Sequence, residues 1–116
     1  MNTINKEGMS DQLYAEIGKE FADQYGTTMG QMFGKPCLKT ETKVFAAFVK
    51  DQMEFKIGEG EVNFLKEKYL GSTNWNPSGK RPMKDWLLVS SDFSEDWNQL
   101  AKQALEFVDE VNGIER

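Results

Sequence analysis

The apolar positions Leu13, Ile17 and Phe21 fall four apart, with Tyr14 and Tyr25 beside them, the interval that lines one face of a helix. Ser10 is a residue type that caps helices and Gly26 one that ends them, so the first helix is expected to start at Ser10 and stop at Gly26. The spacing then shortens to two. Lys35–Lys39 reads as a short strand, assigned to a sheet edge because Pro36 lacks an N–H for a second neighbour. Val44–Val49 is apolar on both faces and reads as a central strand. In the next run Met53, Phe55 and Ile57 alternate with Glu54 and Lys56, which predicts one face on a core and the other in water. The short connections Thr40–Thr42 and Asp51–Gln52 make these three strands an antiparallel meander.

Val62, Leu65 and Tyr69 predict a second helix over Glu61–Tyr69, closed by Gly71. A loop bounded by strands follows from Asn74, and Trp86–Ser90 supplies the last strand. Ser94 is placed to cap a final helix, with Glu95 and Asp96 favouring the N-terminal end of its dipole. Trp97, Leu100, Ala101, Ala104, Leu105, Val108 and Val111 form its apolar stripe. The order α-βββ-α-ββ-α predicts an α+β fold of two layers, an antiparallel five-stranded sheet with helices. One domain is expected over residues 1–116, with 1–9 flexible.

Composition adds limits. A chain of 116 residues with 39% hydrophobic side chains can bury about two-thirds of its unfolded surface without staples. No apolar run approaches the roughly 18 residues that cross a bilayer, and the first residues lack the apolar stretch of a signal peptide. No membrane contact and a cytoplasmic location are therefore expected. A lone Cys37 cannot close an internal disulfide and suits a reducing compartment. The net charge of −5 is uneven: residues 1–31 carry two basic and five acidic side chains, 32–84 ten and six, and 85–116 two and eight. A mildly basic middle between acidic ends disfavours broad phosphate binding, because the whole field repels a polyanion.

The chain has no histidine, so the most common general base and transition-metal ligand is missing. No catalytic residue, metal or cofactor is expected. Cys37 lies in a strand between Pro36 and Leu38 and reads as a packed side chain, and one thiol makes no zinc site. Asp92, Glu95 and Asp96 fit a helix start better than a metal. Gly58-Glu59-Gly60 reads as a strand-to-helix turn, since Glu59 and Glu61 would repel a phosphate. Phe45, Phe48 and Phe55 alternate as a core face does, not as a stacking platform for bases. The segment Asn74–Trp86 remains, where Lys80, Arg81 and Lys84 gather between two indoles. It reads either as a recognition loop anchored by its aromatics or as a solvated connection plugged into the core by Trp75, Met83 and Trp86.

At Met32-Phe33-Gly34, through the meander to Phe55-Lys56, and at Pro77-Ser-Gly-Lys-Arg-Pro-Met-Lys-Asp-Trp86, the chain resembles the N-terminal domain of the TfoX/Sxy family, over roughly Met29 to Val108. Gln31 stands where many members carry a basic residue, and Asp85-Trp86 replaces an aromatic pair. The resemblance implies an α+β unit with an antiparallel sheet, of the single-domain, bacterial kind. Two-domain members regulate DNA uptake and competence alongside a transcription factor.

Together these readings give a non-enzymatic regulatory domain that binds a protein partner. Its expected contacts are Met32, Phe33, Gly34 and Lys35 with Trp75, Lys80, Arg81, Pro82, Met83, Lys84 and Trp86, the cations meeting an acidic patch. The alternative is direct nucleic-acid binding, disfavoured by the acidic balance. Either a monomer or a homodimer fits.

Overall fold

A computed structural model describes residues 6–76 and 79–114, with side chains from Ser10 onward. The elements are α1 (Lys6–Tyr25), β1 (Thr28–Met32), β2 (Lys35–Lys39), β3 (Val44–Val49), β4 (Gln52–Lys56), α2 (Glu59–Lys68), β5 (Thr73–Trp75), β6 (Met83–Ser90), a 3₁₀ turn (Ser91–Asp96) and α3 (Trp97–Val111). All strand pairs are antiparallel, in the order β1-β2-β3-β4-β6-β5. The α+β class and the meander thus agree with the sequence reading, whereas the sheet has six strands instead of five.

The unforeseen strand is β1. Its sequence Thr-Met-Gly-Gln-Met has no alternation of β-branched or aromatic residues, so only its pairing with β2 defines it. Met32-Phe33-Gly34, directly before Lys35–Lys39, closes the β1–β2 hairpin, with φ of 54° at Phe33 and 75° at Gly34. Two left-handed residues give the turn that matches strand twist, and Phe is an uncommon occupant of that region. With β1 in place, β2 has neighbours on both sides and is no edge. Pairing with β3 begins at Cys37, so Pro36 stands outside that ladder.

The β3–β4 hairpin turns through Lys50 and Asp51, also at positive φ. The Asp51 carboxylate accepts hydrogen bonds from the Ser10 hydroxyl of α1 and, at 2.8 Å, from the Ser91 hydroxyl of the 3₁₀ turn. Ser10 is therefore no N-cap: it lies inside a helix that begins at Lys6, its hydroxyl taken by a tertiary partner. Of the segment expected to be flexible, residues 6–9 are helical, and 1–5 lie outside the described residues.

All three helices cover one sheet face in a two-layer arrangement. Tyr14, Ile17 and Phe21 of α1, Val62 and Leu65 of α2, and the α3 stripe from Trp97 to Val108 bury Leu38, Phe48, Met53, Phe55, Leu87 and Val89. A bulge opposite Leu38–Lys39 turns the adjacent residues Phe45 and Ala46 toward the same core. Two expectations for α3 fail at its ends. Val111 is 66% exposed, beyond the sheet. Ser94 does not cap: Phe93 leaves helical geometry (φ −112°, ψ 25°) and packs on Tyr69 at 5.1 Å, so the α-helix starts only at Trp97. The cap is Ser90, whose hydroxyl accepts from the Asp92 amide at the start of the 3₁₀ turn.

Candidate functional site

The second sheet face has its own apolar cluster, built without helices. Cys37, Ala47, Trp75 and Trp86 are buried there, with Met32, Val44, Val49 and Met83 packed around them. Cys37, Ala47, Glu54 and Leu88 lie in register across β2, β3, β4 and β6, one side chain from each strand pointing to this face.

Phe33 and Trp75 belong to opposite edges of the sheet and, by register, to opposite ends of the strands. Their rings nonetheless sit 6.0 Å apart at 65°, and Trp75 lies 5.0 Å from Trp86 at 57°. Only a strongly twisted sheet brings two diagonal corners together over one face. The Met32–Lys35 and Trp75–Trp86 segments singled out from sequence thus meet through Phe33 and Trp75. Trp75 and Trp86 are its buried anchors, Met32 and Met83 are half-buried, and Phe33 stays 66% exposed although its ring edge touches the indole.

The cations are placed differently from one another. Arg81 and Lys84, with Pro82, line a groove shared with Glu59 and Asn63 of α2 and with Asn74. The Asn74 amide donates to the carbonyls of Met83 and Lys84, at 3.3 and 3.2 Å, holding the returning chain. Lys80 is exposed and outside the lining of that groove, and Gly34 and Lys35 border the far corner. Pro77 and Ser78 of the same loop lie outside the described residues.

Sequence reasoning missed the most consequential group on this face. Glu54, assigned to water, is fully buried, and neither carboxyl oxygen has a hydrogen-bond partner. Burial pushes its pKa up to about 9, against smaller downward pulls from its own backbone amide and from Lys35. The carboxyl is therefore neutral at pH 7. No signal within β4 betrays this, because Gln-Met-Glu-Phe-Lys reads like any half-exposed strand; the cover comes from corners distant in sequence. Burial also raises Cys37, the opposite of thiol activation, and Tyr14, whose buried hydroxyl has no partner and feels Cys37 and Glu54.

Among the described residues no helix is long and apolar enough to cross a membrane, and no group of three acidic, Cys or His side chains is placed to hold a metal. Comparison with family models, curated proteins and solved structures finds no match to this chain.

Proposed function

We propose that the chain is a non-enzymatic, cytoplasmic interaction domain, akin to the TfoX/Sxy N-terminal domain, that docks a protein partner in transcriptional or competence-type regulation. The observation that carries this reading is the meeting of the Phe33 turn with the Trp75–Trp86 loop. A large aromatic is held 66% exposed at φ 54° on the buried indole of Trp75, while exposed Arg81 and Lys84 of the same loop line a separate groove against α2. A preorganised, exposed aromatic seated on a rigid support is the usual chemistry of an interface hot spot. Phe33→Ala is expected to weaken partner capture by about 2 kcal/mol or more, roughly thirtyfold. Replacing Lys80, Arg81 and Lys84 together with Glu should abolish capture and leave the melting temperature nearly unchanged. Capture that survives both changes rejects the assignment.

Nucleic-acid binding is the second reading, supported by the net positive charge of residues 32–84. Glu59 beside Arg81 and Lys84 opposes it. A gel shift at low salt, where phosphate affinity is greatest, decides between them. The protein-docking account expects no shifted band.

A further inference from the structure

β1 ends the sheet, and its outer side is open. A two-residue turn with both residues at positive φ makes Met32 and Lys35 the first hydrogen-bonded pair of the β1–β2 ladder. Such pairs alternate along antiparallel strands, so Gly30 and Thr28 bond to Cys37 and Lys39, while Met29 and Gln31 turn their N–H and C=O groups away from the sheet. Among the described residues no turn, loop or cap hydrogen bond reaches β1, and Thr28, Met29 and Gln31 are exposed.

Sheet edges in soluble proteins are commonly guarded by charge, proline, a bulge or shortness. At the opposite edge, β5 is three residues long and bulged beside Trp75. β1 has no such guard. Thr-Met-Gly-Gln-Met holds neither charge nor proline, and its register with β2 runs unbroken from Thr28 to Met32.

We infer that β1 pairs with β1 of a second copy, antiparallel about a twofold axis through Gly30, joining the two sheets into one.

Each copy carries a net charge of −5, so two copies meet best along a segment where neither is charged, and β1 is such a segment. The axis through Gly30 sets Met29 against Gln31 of the second copy on either side, each pair exchanging the hydrogen bonds that otherwise go to water. Gly30 itself lies where the two backbones come closest, at a non-hydrogen-bonded pair. Its φ is not left-handed, and a Cβ there would press only on the flexible Lys39 stem, at 3.2 Å. The hairpin alone thus gives little reason for glycine, whereas a second backbone at close approach does. On the helix-covered side Met29 lies over Gly18 of α1 and is still 49% exposed. The Gln31 stem of the second copy covers it, and the two Met29 side chains sit diagonally across the axis, within reach of one another. The like charges that remain, the net charge of each copy and the two Lys39 stems beside the axis, are screened by salt, so the dimer tightens as ionic strength rises.

Sedimentation velocity on the full chain tests this. A joined pair of strands is a small interface, so the wild-type mass should double between low-micromolar and near-millimolar concentration, and sooner with added salt. Hydrogen exchange locates the contact. The Met29 and Gln31 amides should exchange freely in dilute protein and become protected as the mass doubles, whereas the Gly30 amide, bonded to β2, is protected throughout. Gln31→Pro removes an outward N–H from each copy and leaves the β1–β2 ladder whole, so it should keep the mass of one chain at every concentration. Gln31→Glu keeps every backbone group and sets two carboxylates diagonally across the axis. It should associate weakly at low salt and regain wild-type association at high salt, a check that holds even where Gln31→Pro folds poorly. A wild-type mass that stays at one chain, a dimer in which Met29 and Gln31 remain unprotected, or variants that associate as wild type does at low salt overturn the proposal. Protection of those amides only when another protein is added also overturns it and assigns the edge to a foreign strand. None of these readouts involves Phe33→Ala or the charge-reversed loop, on which partner capture is read.

Discussion

Between pH 5 and pH 8 the wild-type chain is expected to lose about 4 kcal/mol of stability, a loss absent from Glu54→Gln. The sign follows from proton counts. Glu54 titrates near 4.5 in the unfolded chain and at about 9 in the folded one. In that window the folded chain holds a proton that the unfolded chain has released. Unfolding then releases a proton, so stability falls as pH rises, by about 1.4 kcal/mol per unit. Below the lower value both states are protonated, and above the higher one both are ionised, so the slope vanishes at either side. Tyr69, pushed up to about 12 by burial and by its hydrogen bond to Asp96, adds a similar downward slope above pH 10. Glu54→Leu should exceed wild type at pH 7 by about 3 kcal/mol, since an apolar side chain of similar size removes both the ionisation penalty and the unpartnered oxygens. Urea titrations at each pH read all three proteins directly. A wild-type curve flat between pH 5 and pH 8 contradicts the burial of this carboxyl.

Trp86→Ala is the second large effect. Trp86 is 4% exposed and is the inner ring against which Trp75 packs, so its removal leaves a cavity costing about 3–5 kcal/mol. It also opens the cover of Glu54. Water reaching the carboxyl lets it ionise, which relieves in the variant a penalty that wild type suffers at high pH. The loss should therefore be greatest near pH 5 and visibly smaller at pH 8. Trp97→Ala supplies the control. That indole is fully buried on the helix-covered face, so its loss should be comparable in size and independent of pH. Equal pH dependence in the two variants would separate Trp86 from Glu54 and undo the link between them.

Much of the fold was legible because its cues are local. The fourfold spacing of Leu13, Ile17 and Phe21, the Gly26 stop and the α3 stripe each reflect one element burying one face. The same local logic failed where a partner sets the outcome. Thr28–Met32 has no strand pattern of its own and is a strand because β2 lies beside it. Ser10 has the chemistry of a cap, but Asp51 takes its hydroxyl. At the site, the aromatic and cationic residues could be named from sequence because loops rich in Pro and Gly seldom carry two indoles without using them. Their convergence could not, since it depends on the accumulated twist of six strands. Glu54 was misread for that reason: its exposure is decided by residues at both ends of the sheet.

The most direct test is a carbon-13 NMR titration of the Glu54 side-chain carboxyl in the folded protein. A midpoint near 9 means that the two sheet corners close over this face and keep the acid neutral at pH 7. A midpoint near 4.5 would mean that water reaches Glu54, and the covered face would not stand.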